Sequence, residues 1–283
     1  MSPLWGFECP DGAIAPLADD LAHCRSCDHR CLTLPTLRYI GKERVWNGRP
    51  STTQLLNGTM LEFLKITRDY VCDPGQDRIF ALYGSALHAL LAKEAEELNL
   101  PAEVALSPDG RDIFDLLEPE NGTWTLTDNK GWGSYKVARA LGLVKSGKGK
   151  DARFVIDPEQ ADLYEVELQL NNYTRMLEEK GVMIGRMQLQ VFVRDGGLAV
   201  AKTRGITRNS YIIPIKRLDA DYVGSYFDGK AGDLLKALEK YEADPTYFPT
   251  PCDNRESWDG NRCGKWCDVA KFCPKGMLGM QEE

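Results

Sequence analysis

Asp115, Asp128 and Lys130 lie in the run Asp-Ile-Phe-Asp-Leu-Leu-Glu-Pro-Glu-Asn-Gly-Thr-Trp-Thr-Leu-Thr-Asp-Asn-Lys. Two stretches of β-forming residues flank Pro119-Glu120-Asn121-Gly122, a turn signal, so the run reads as a hairpin. With a four-residue loop, Glu118 faces Thr123 and Asp115 faces Leu126. Side chains alternate along a strand, so Asp128 and Lys130 share a face, and Asp115 joins them diagonally at about 7–8 Å. A loop of three or five residues would undo that parity. Carboxylates this close repel unless a positive charge separates them, and a hard divalent cation with oxygen ligands suits the pair. Such an ion, with Lys130 to steer water or steady a phosphate, is what phosphodiester hydrolysis requires. The opposing reading is a solvated hairpin whose outer face carries Asp and Lys.

Two helices would have to bring further groups to this hairpin. From Ile79 to Lys93 the sequence has helical periodicity and sets Gly84 and His88 four apart on one side. Gly84 permits close backbone approach, and His88 can complete a metal shell. Asp157-Pro158-Glu159-Gln160 carries an N-cap, a proline at the first helical position and a glutamine at the third. The helix it starts is expected to run to Gly181, with Gln169 and Tyr173 on one face.

The order Gly-x-x-x-His, Asp, Asp-x-Lys, Gln-x-x-x-Tyr resembles the RecB-like branch of the PD-(D/E)XK nuclease superfamily, over roughly residues 79–195. The resemblance implies a restriction-endonuclease-like α/β core, a mixed central sheet flanked by helices. It implies Mg2+ or Mn2+ held by His88, Asp115, Asp128 and the Asn129 carbonyl, with Lys130 as catalytic lysine. Gln169 and Tyr173 become the pair that holds DNA and supports the site. Phe114 departs from the pattern, since many relatives have a small or branched residue before the first aspartate; this touches packing and leaves the carboxylates in place.

Cysteine usage adds a second kind of site. The first residues, Met-Ser-Pro-Leu-Trp-Gly-Phe-Glu-Cys, have neither a basic start nor an apolar core, and no stretch approaches the ~18–20 apolar residues of a membrane span. A reducing cytoplasm is therefore expected, where clustered thiols hold metal rather than form disulfides. Eight of the nine cysteines fall into two groups: Cys9, Cys24, Cys27 and Cys31, then Cys252, Cys263, Cys267 and Cys273. Cys72 is left over as a small hydrophobe. Four thiolates bind zinc or a four-iron–four-sulfur cluster. The Cys24/Cys27 pair looks like a zinc knuckle. The tail is similar to the cysteine-rich end of iron–sulfur nucleases such as the CRISPR-associated RecB-like exonucleases, which draw one cluster ligand from before the core and three from after it. Their last three are commonly spaced two and five residues apart, whereas here the gaps are three and five. Ligation by Cys252 with the tail three, or by an N-terminal cysteine such as Cys31 with them, both remain open, as does zinc.

A net charge of −7 in 283 residues, 43% of them hydrophobic, describes one substantial core and does not announce a nucleic-acid binder. Local charge differs: Lys136, Arg139, Lys145, Lys148, Lys150 and Arg153 stand against one acid, Asp151, and suit a DNA-gripping segment or a solvated loop. Lys202, Arg204 and Arg208 form a second basic stretch. Gly142 to Gly149 nearly spells a phosphate-binding loop but ends in glycine where Ser or Thr must reach magnesium. The expected organisation is a cysteine knuckle over 1–35, a nuclease core over 36–245 with helices at 53–70 and 231–241, and a metal-binding tail over 246–283. The expected function is metal-dependent DNA hydrolysis, exonuclease before endonuclease, on single strands or duplex ends. By resemblance the setting is phage recombination, repair or CRISPR adaptation, with proteins of those pathways as partners. The rival readings are a nuclease-fold DNA-binding subunit of a larger complex and a metal-stapled interaction protein without hydrolysis.

Overall fold

The computed structural model describes residues 4–42, 45–147 and 153–279. It divides into two compact units, one of residues 1–83 with 225–283, the other of residues 84–224. Residues 36–83 and 225–245 therefore group with the cysteine-bearing ends.

In the first unit β1 (Leu4–Glu8) pairs antiparallel with β2 (Ile14–Pro16). Two short helices follow, α1 (Ala22–Ser26) and α2 (Leu34–Ile40). The helix expected over 53–70 is broken into α3 (Thr52–Leu55) and α4 (Thr59–Thr67), and the chain then turns into β3 (Tyr70–Cys72), parallel to β1. Ser51 and Gln54 cap α3 reciprocally, and Asn57-Gly58 makes the break. The break has a use, because a Cβ on Gly58 would lie 2.3 Å from Cys252 Sγ. Glu62 is buried beneath it, accepting from Gln54 Nε2 at 3.1 Å and Asn57 Nδ2 at 2.7 Å, while Arg262 of the tail donates to Asn57 Oδ1 at 2.8 Å. Tail residues Val269 and Cys273 join the core of Leu4, Phe7, Leu37, Phe63 and Leu64, and Cys72 is buried in it as a small hydrophobe. Gly58→Ala is accordingly expected to dislodge Cys252 and to cost about 1–3 kcal/mol. Melting temperature and thiol labelling at Cys252 check this, and an unchanged profile in both would contradict it.

A π-helical turn leads into α5 (Ile79–Glu97), within which the unit boundary falls. The second unit is built on a five-stranded mixed sheet. Its strands are β4 (Ala102–Ala105), β5 (Ile113–Glu120), β6 (Thr123–Trp132), β9 (Ile184–Val193) and β10 (Ser210–Pro214), in the order β10-β9-β6-β5-β4. Only β6 and β9 are parallel. A parallel pair needs a long crossover, here α6 (Ser134–Ala140), the β7 (Leu143–Ser146)–β8 (Arg153–Ile156) hairpin and α7 (Tyr164–Glu178). Val166, Leu170, Tyr173 and Leu177 repeat at helical period on α7 and share one core with Leu126, Leu189 and Val191 of the sheet.

The hairpin turn is shorter than expected. Asn121 and Gly122 alone form it, with φ of 50° and 82°, as a two-residue turn requires. Both strands run on to Glu120 and Thr123, which pair. Pro119 is tolerated because Leu117 N–H bonds Pro101 O on the β4 side, so the missing N–H of Pro119 points the same way, past the end of β4. Leu116 pairs with Thr127, which sets Asp115 directly across from Asp128 instead of diagonally. The loop is shorter by two residues, so the shared face survives.

The helix expected from Pro158 starts later. Asp157 caps a single 3-10 turn, and Ala161 is extended because Asp162 is tied to α6 through the Arg139 carbonyl and guanidinium. Gly181, at φ 82°, ends the turn after α7 as expected. After α8 (Ala199–Lys202) and β10, the helix expected over 231–241 is α9 (Ala220–Ala243). Gly224, Gly229 and Gly232 argue against so long a helix, yet buried Val223, Phe227, Leu234 and Ala237 carry its period through them. Short helices α10 (Asn261–Lys265) and α11 (Pro274–Gly279) complete the tail. Among the described residues no helix is long and apolar enough to cross a membrane.

Candidate metal centre

β4, β5 and β6 place three carboxylates in a row. Asp115 stands across from Asp128, and Glu103, between Ala102 and Val104 whose partners are Leu116 and Phe114, stands across from Asp115. Asp128 is 1% exposed. Its Oδ1 accepts from Lys130 Nζ at 2.7 Å and from Gln169 Nε2 at 3.3 Å, whereas its buried Oδ2 has no hydrogen-bond partner. Asp115 Oδ2 accepts from the Asn129 N–H at 2.6 Å. His88 reaches the row from α5, with Nε2 3.1 Å from the Asn129 carbonyl oxygen, and Nδ1 2.8 Å from Glu103 Oε1 and 3.7 Å from Asp115 Oδ1. Ligand atoms of His88, Glu103 and Asp115 all lie within 4.8 Å of one another.

Electrostatics bear the stamp of this crowding. Burial, with the Asp128 charge behind it, pushes the Asp115 carboxyl up to about 7, against the pull of Lys130, His88 and the Asn129 N–H. The hydrogen bond to Glu103 raises His88 above the usual imidazole range, burial opposing. Burial works against the Lys130 charge, but the Asp128 and Asp115 carboxylates outweigh it and the ammonium is stabilised. A buried carboxylate oxygen without a donor is costly, and a cation beside it removes the cost. His88, Glu103 and Asp115 thus converge as imidazole and carboxylate donors that could hold a divalent ion, while Asp128, whose buried Oδ2 has no hydrogen-bond partner, stands outside that group.

A pH dependence follows from Asp115. Its pKa in the folded protein lies above the ordinary carboxylate value near 4, so its favourable contribution is full below that value and is lost as pH rises through about 7. A cation needs the ionised form. The rise in melting temperature on adding Mn2+ should therefore be small near pH 5.5 and grow towards pH 8, and Asp115→Asn should remove the trend. An equal Mn2+ effect at both pH values would contradict this.

His88 meets the Asn129 carbonyl, the Asn129 N–H bonds Asp115, and Lys130 bonds Asp128. Gln169 joins them by holding Asp128 Oδ1, but Tyr173 does so only from within the core: it is 3% exposed, bonded to Gln169, and burial drives its phenol far above the usual range. Neither side chain is placed to touch DNA, so the expected DNA-holding pair becomes a pair that positions Asp128. Phe114, the departure from the family pattern, is buried in the sheet core. Glu103 was missing from the sequence reading. The signal for it was the alternation of residues 102–105 against 113–116, which needs the sheet register to be read.

Among the described residues the basic segment does not gather into one patch. Arg139 is paired with Asp162, and Lys136 lies 4.5 Å from the centre of the Trp132 ring and 3.8 Å from Glu165. Lys145 pairs with Phe154 and Ser146 with Arg153 in the β7–β8 ladder, so Lys145 and Arg153 emerge on opposite faces. Arg204 of the second stretch donates to Ser134 Oγ and pairs with Asp195. Lys148 and Lys150 lie outside the described residues.

Each cysteine group keeps its own company. Burial raises the Cys9 and Cys24 thiols, and the nearby Cys31 and Cys27 thiols add to both shifts. Burial pushes Cys252 up to about 11, Glu256 adding to it and the Leu61 N–H opposing, and Cys273 and Cys267 lie near enough to contribute. Cys267 in turn feels Cys263. Among the described residues no three cysteine sulfurs lie within 4.8 Å of one another, wider than the ~3.8 Å edge of a tetrahedral zinc–thiolate site. Trp266, between Cys263 and Cys267 in the sequence, is exposed, whereas Phe272 packs against the first unit's core.

No protein-family model, no curated protein and no solved structure matches this chain.

Proposed function

We propose that this chain is a divalent-metal-dependent deoxyribonuclease of the RecB-like PD-(D/E)XK kind, acting as an exonuclease on single strands or duplex ends. The observation that carries the reading is the buried, unpartnered Asp128 Oδ2 beside Asp115, with Lys130 two residues on along the same strand face. His88, Asp115, Asp128 and the Asn129 carbonyl would hold Mg2+ or Mn2+. The ion supplies Lewis acidity toward a phosphate oxygen and acidifies a water.

The chain's own residues do the rest. Gln169 and Lys130 both bond Asp128 Oδ1, which leaves the buried Oδ2 without a donor. The Asn129 N–H fixes Asp115 in the same way. Lys130 keeps its proton in this company, and so offers a positive charge to a phosphate or to the attacking water. The two cysteine groups are proposed as metal staples of the first unit, with a four-iron–four-sulfur cluster at Cys252, Cys263, Cys267 and Cys273, and a zinc ion at Cys9, Cys24, Cys27 and Cys31. Phage recombination, DNA repair or CRISPR adaptation would use such an enzyme.

End-labelled single-stranded and duplex DNA incubated with the protein and Mn2+ tests the reading. Shortening from an end, abolished by chelator, is expected. Intact DNA at every Mn2+ concentration, or cleavage that persists in excess chelator, would overturn it.

A further inference from the structure

We infer that Glu103 is a positioning residue that fixes the His88 ring with Nδ1 protonated, so that Nε2 presents its lone pair to a cation beside the Asn129 carbonyl. This rests on the reading of the carboxylate row as a cation site.

A carboxylate only accepts, so Glu103 Oε1, 2.8 Å from Nδ1, takes the Nδ1–H. In the neutral ring the lone pair then lies on Nε2, which faces the Asn129 carbonyl oxygen at 3.1 Å. Two lone-pair donors facing each other at that distance need something positive between them. Ligands at right angles about 2.1 Å from an octahedral ion are about 3.0 Å apart, so the gap has the size of one cation edge. The same gap is bridged by Nε2–H when the ring carries both protons.

The backbone of Glu103 supports the assignment independently. Its φ is 51°, a left-handed value that a glutamate in a strand rarely adopts. Such a conformation persists where surroundings hold it, and it clusters where a side chain must be delivered to a site. A histidine that binds metal through one nitrogen commonly donates from the other to a carboxylate, and loss of that partner weakens metal binding about 10–100-fold.

Calorimetric titration of the full chain with Mn2+, and long-range nitrogen-15 spectra of the Mg2+-loaded protein, test the proposal. There are three histidines, His23, His29 and His88, so the His88 signal is assigned by its loss in His88→Gln. Glu103→Ala should weaken Mn2+ about 10–100-fold with the number of ions bound unchanged. Glu103→Gln should recover most of the affinity, because the amide oxygen still accepts from Nδ1. In the parent loaded with Mg2+, His88 should carry its proton on Nδ1 and none on Nε2. Parent-like affinity in Glu103→Ala, or a proton on Nε2 in the Mg2+-loaded parent, would overturn the proposal while the cation reading stood. Loss of one bound ion in both Glu103 variants would overturn it in favour of direct ligation by Glu103. If the parent binds no cation, or Asp128→Ala binds one equally well, the cation reading fails and takes this proposal with it.

Discussion

Asp128→Asn should abolish DNA cleavage, by at least ~10²–10³-fold, and should lower the melting temperature in chelator with no recovery on adding Mn2+. The amide leaves the Lys130 ammonium without the 2.7 Å carboxylate that offsets its burial, and it takes away the buried, donor-free oxygen that would meet the ion. Lys130→Ala should be as inactive but for a different reason and with a different response to metal. It removes the 2.7 Å partner of Asp128 and leaves a buried carboxylate with only Gln169, so melting temperature should fall in chelator and recover partly with Mn2+. Turnover assays with melting curves on the same preparations separate the two. Either variant degrading DNA at the parent rate would remove its residue from the site.

The second large effect concerns the tail. Cys267→Ala is expected to cost solubility before it costs catalysis, because Val269 and Cys273 beside it belong to the first unit's core and no long apolar run holds the tail otherwise. Protein purified without oxygen should be brown, absorb in the visible, and contain about four irons and four sulfides per chain. The variant should lose both colour and solubility. Zinc near two per chain with neither iron nor sulfide would remove the cluster and leave the carboxylate site untouched.

The carboxylate pair is legible in the sequence because strand parity survives a two-residue change in loop length. A turn of Asn121-Gly122 instead of four residues moves the register by two, and two is the side-chain period. His88 and Gln169 were legible only through the motif order that resembles the RecB-like nucleases, since helical spacing by itself shows no more than a face shared with Gly84 or with Tyr173. Glu103 was not, since its placement depends on how β4 pairs with β5, which local patterns do not encode, and on a left-handed backbone that no glutamate announces. Tyr173 was misread as reaching substrate because an amphipathic residue on a helix face gives no sign of whether that face meets solvent or sheet; here it meets the core. The basic segment misled for a similar reason. Counting Lys136, Arg139, Lys145 and Arg153 along the chain ignores that β7 and β8 turn alternate residues to opposite faces and that Asp162 and Glu165 return to neutralise two of them. The break at Gly58 was invisible because its cause, the Cys252 sulfur, lies far along the chain.

One divalent ion is proposed to sit among His88, Asp115, Asp128 and the Asn129 carbonyl. Diffraction from crystals soaked in Mn2+, recorded at the manganese absorption edge, tests it most directly. An anomalous peak is expected within ligand distance of Asp128 Oδ2 and His88 Nε2, absent from Asp128→Asn crystals. Manganese peaks found only away from these four residues would contradict it.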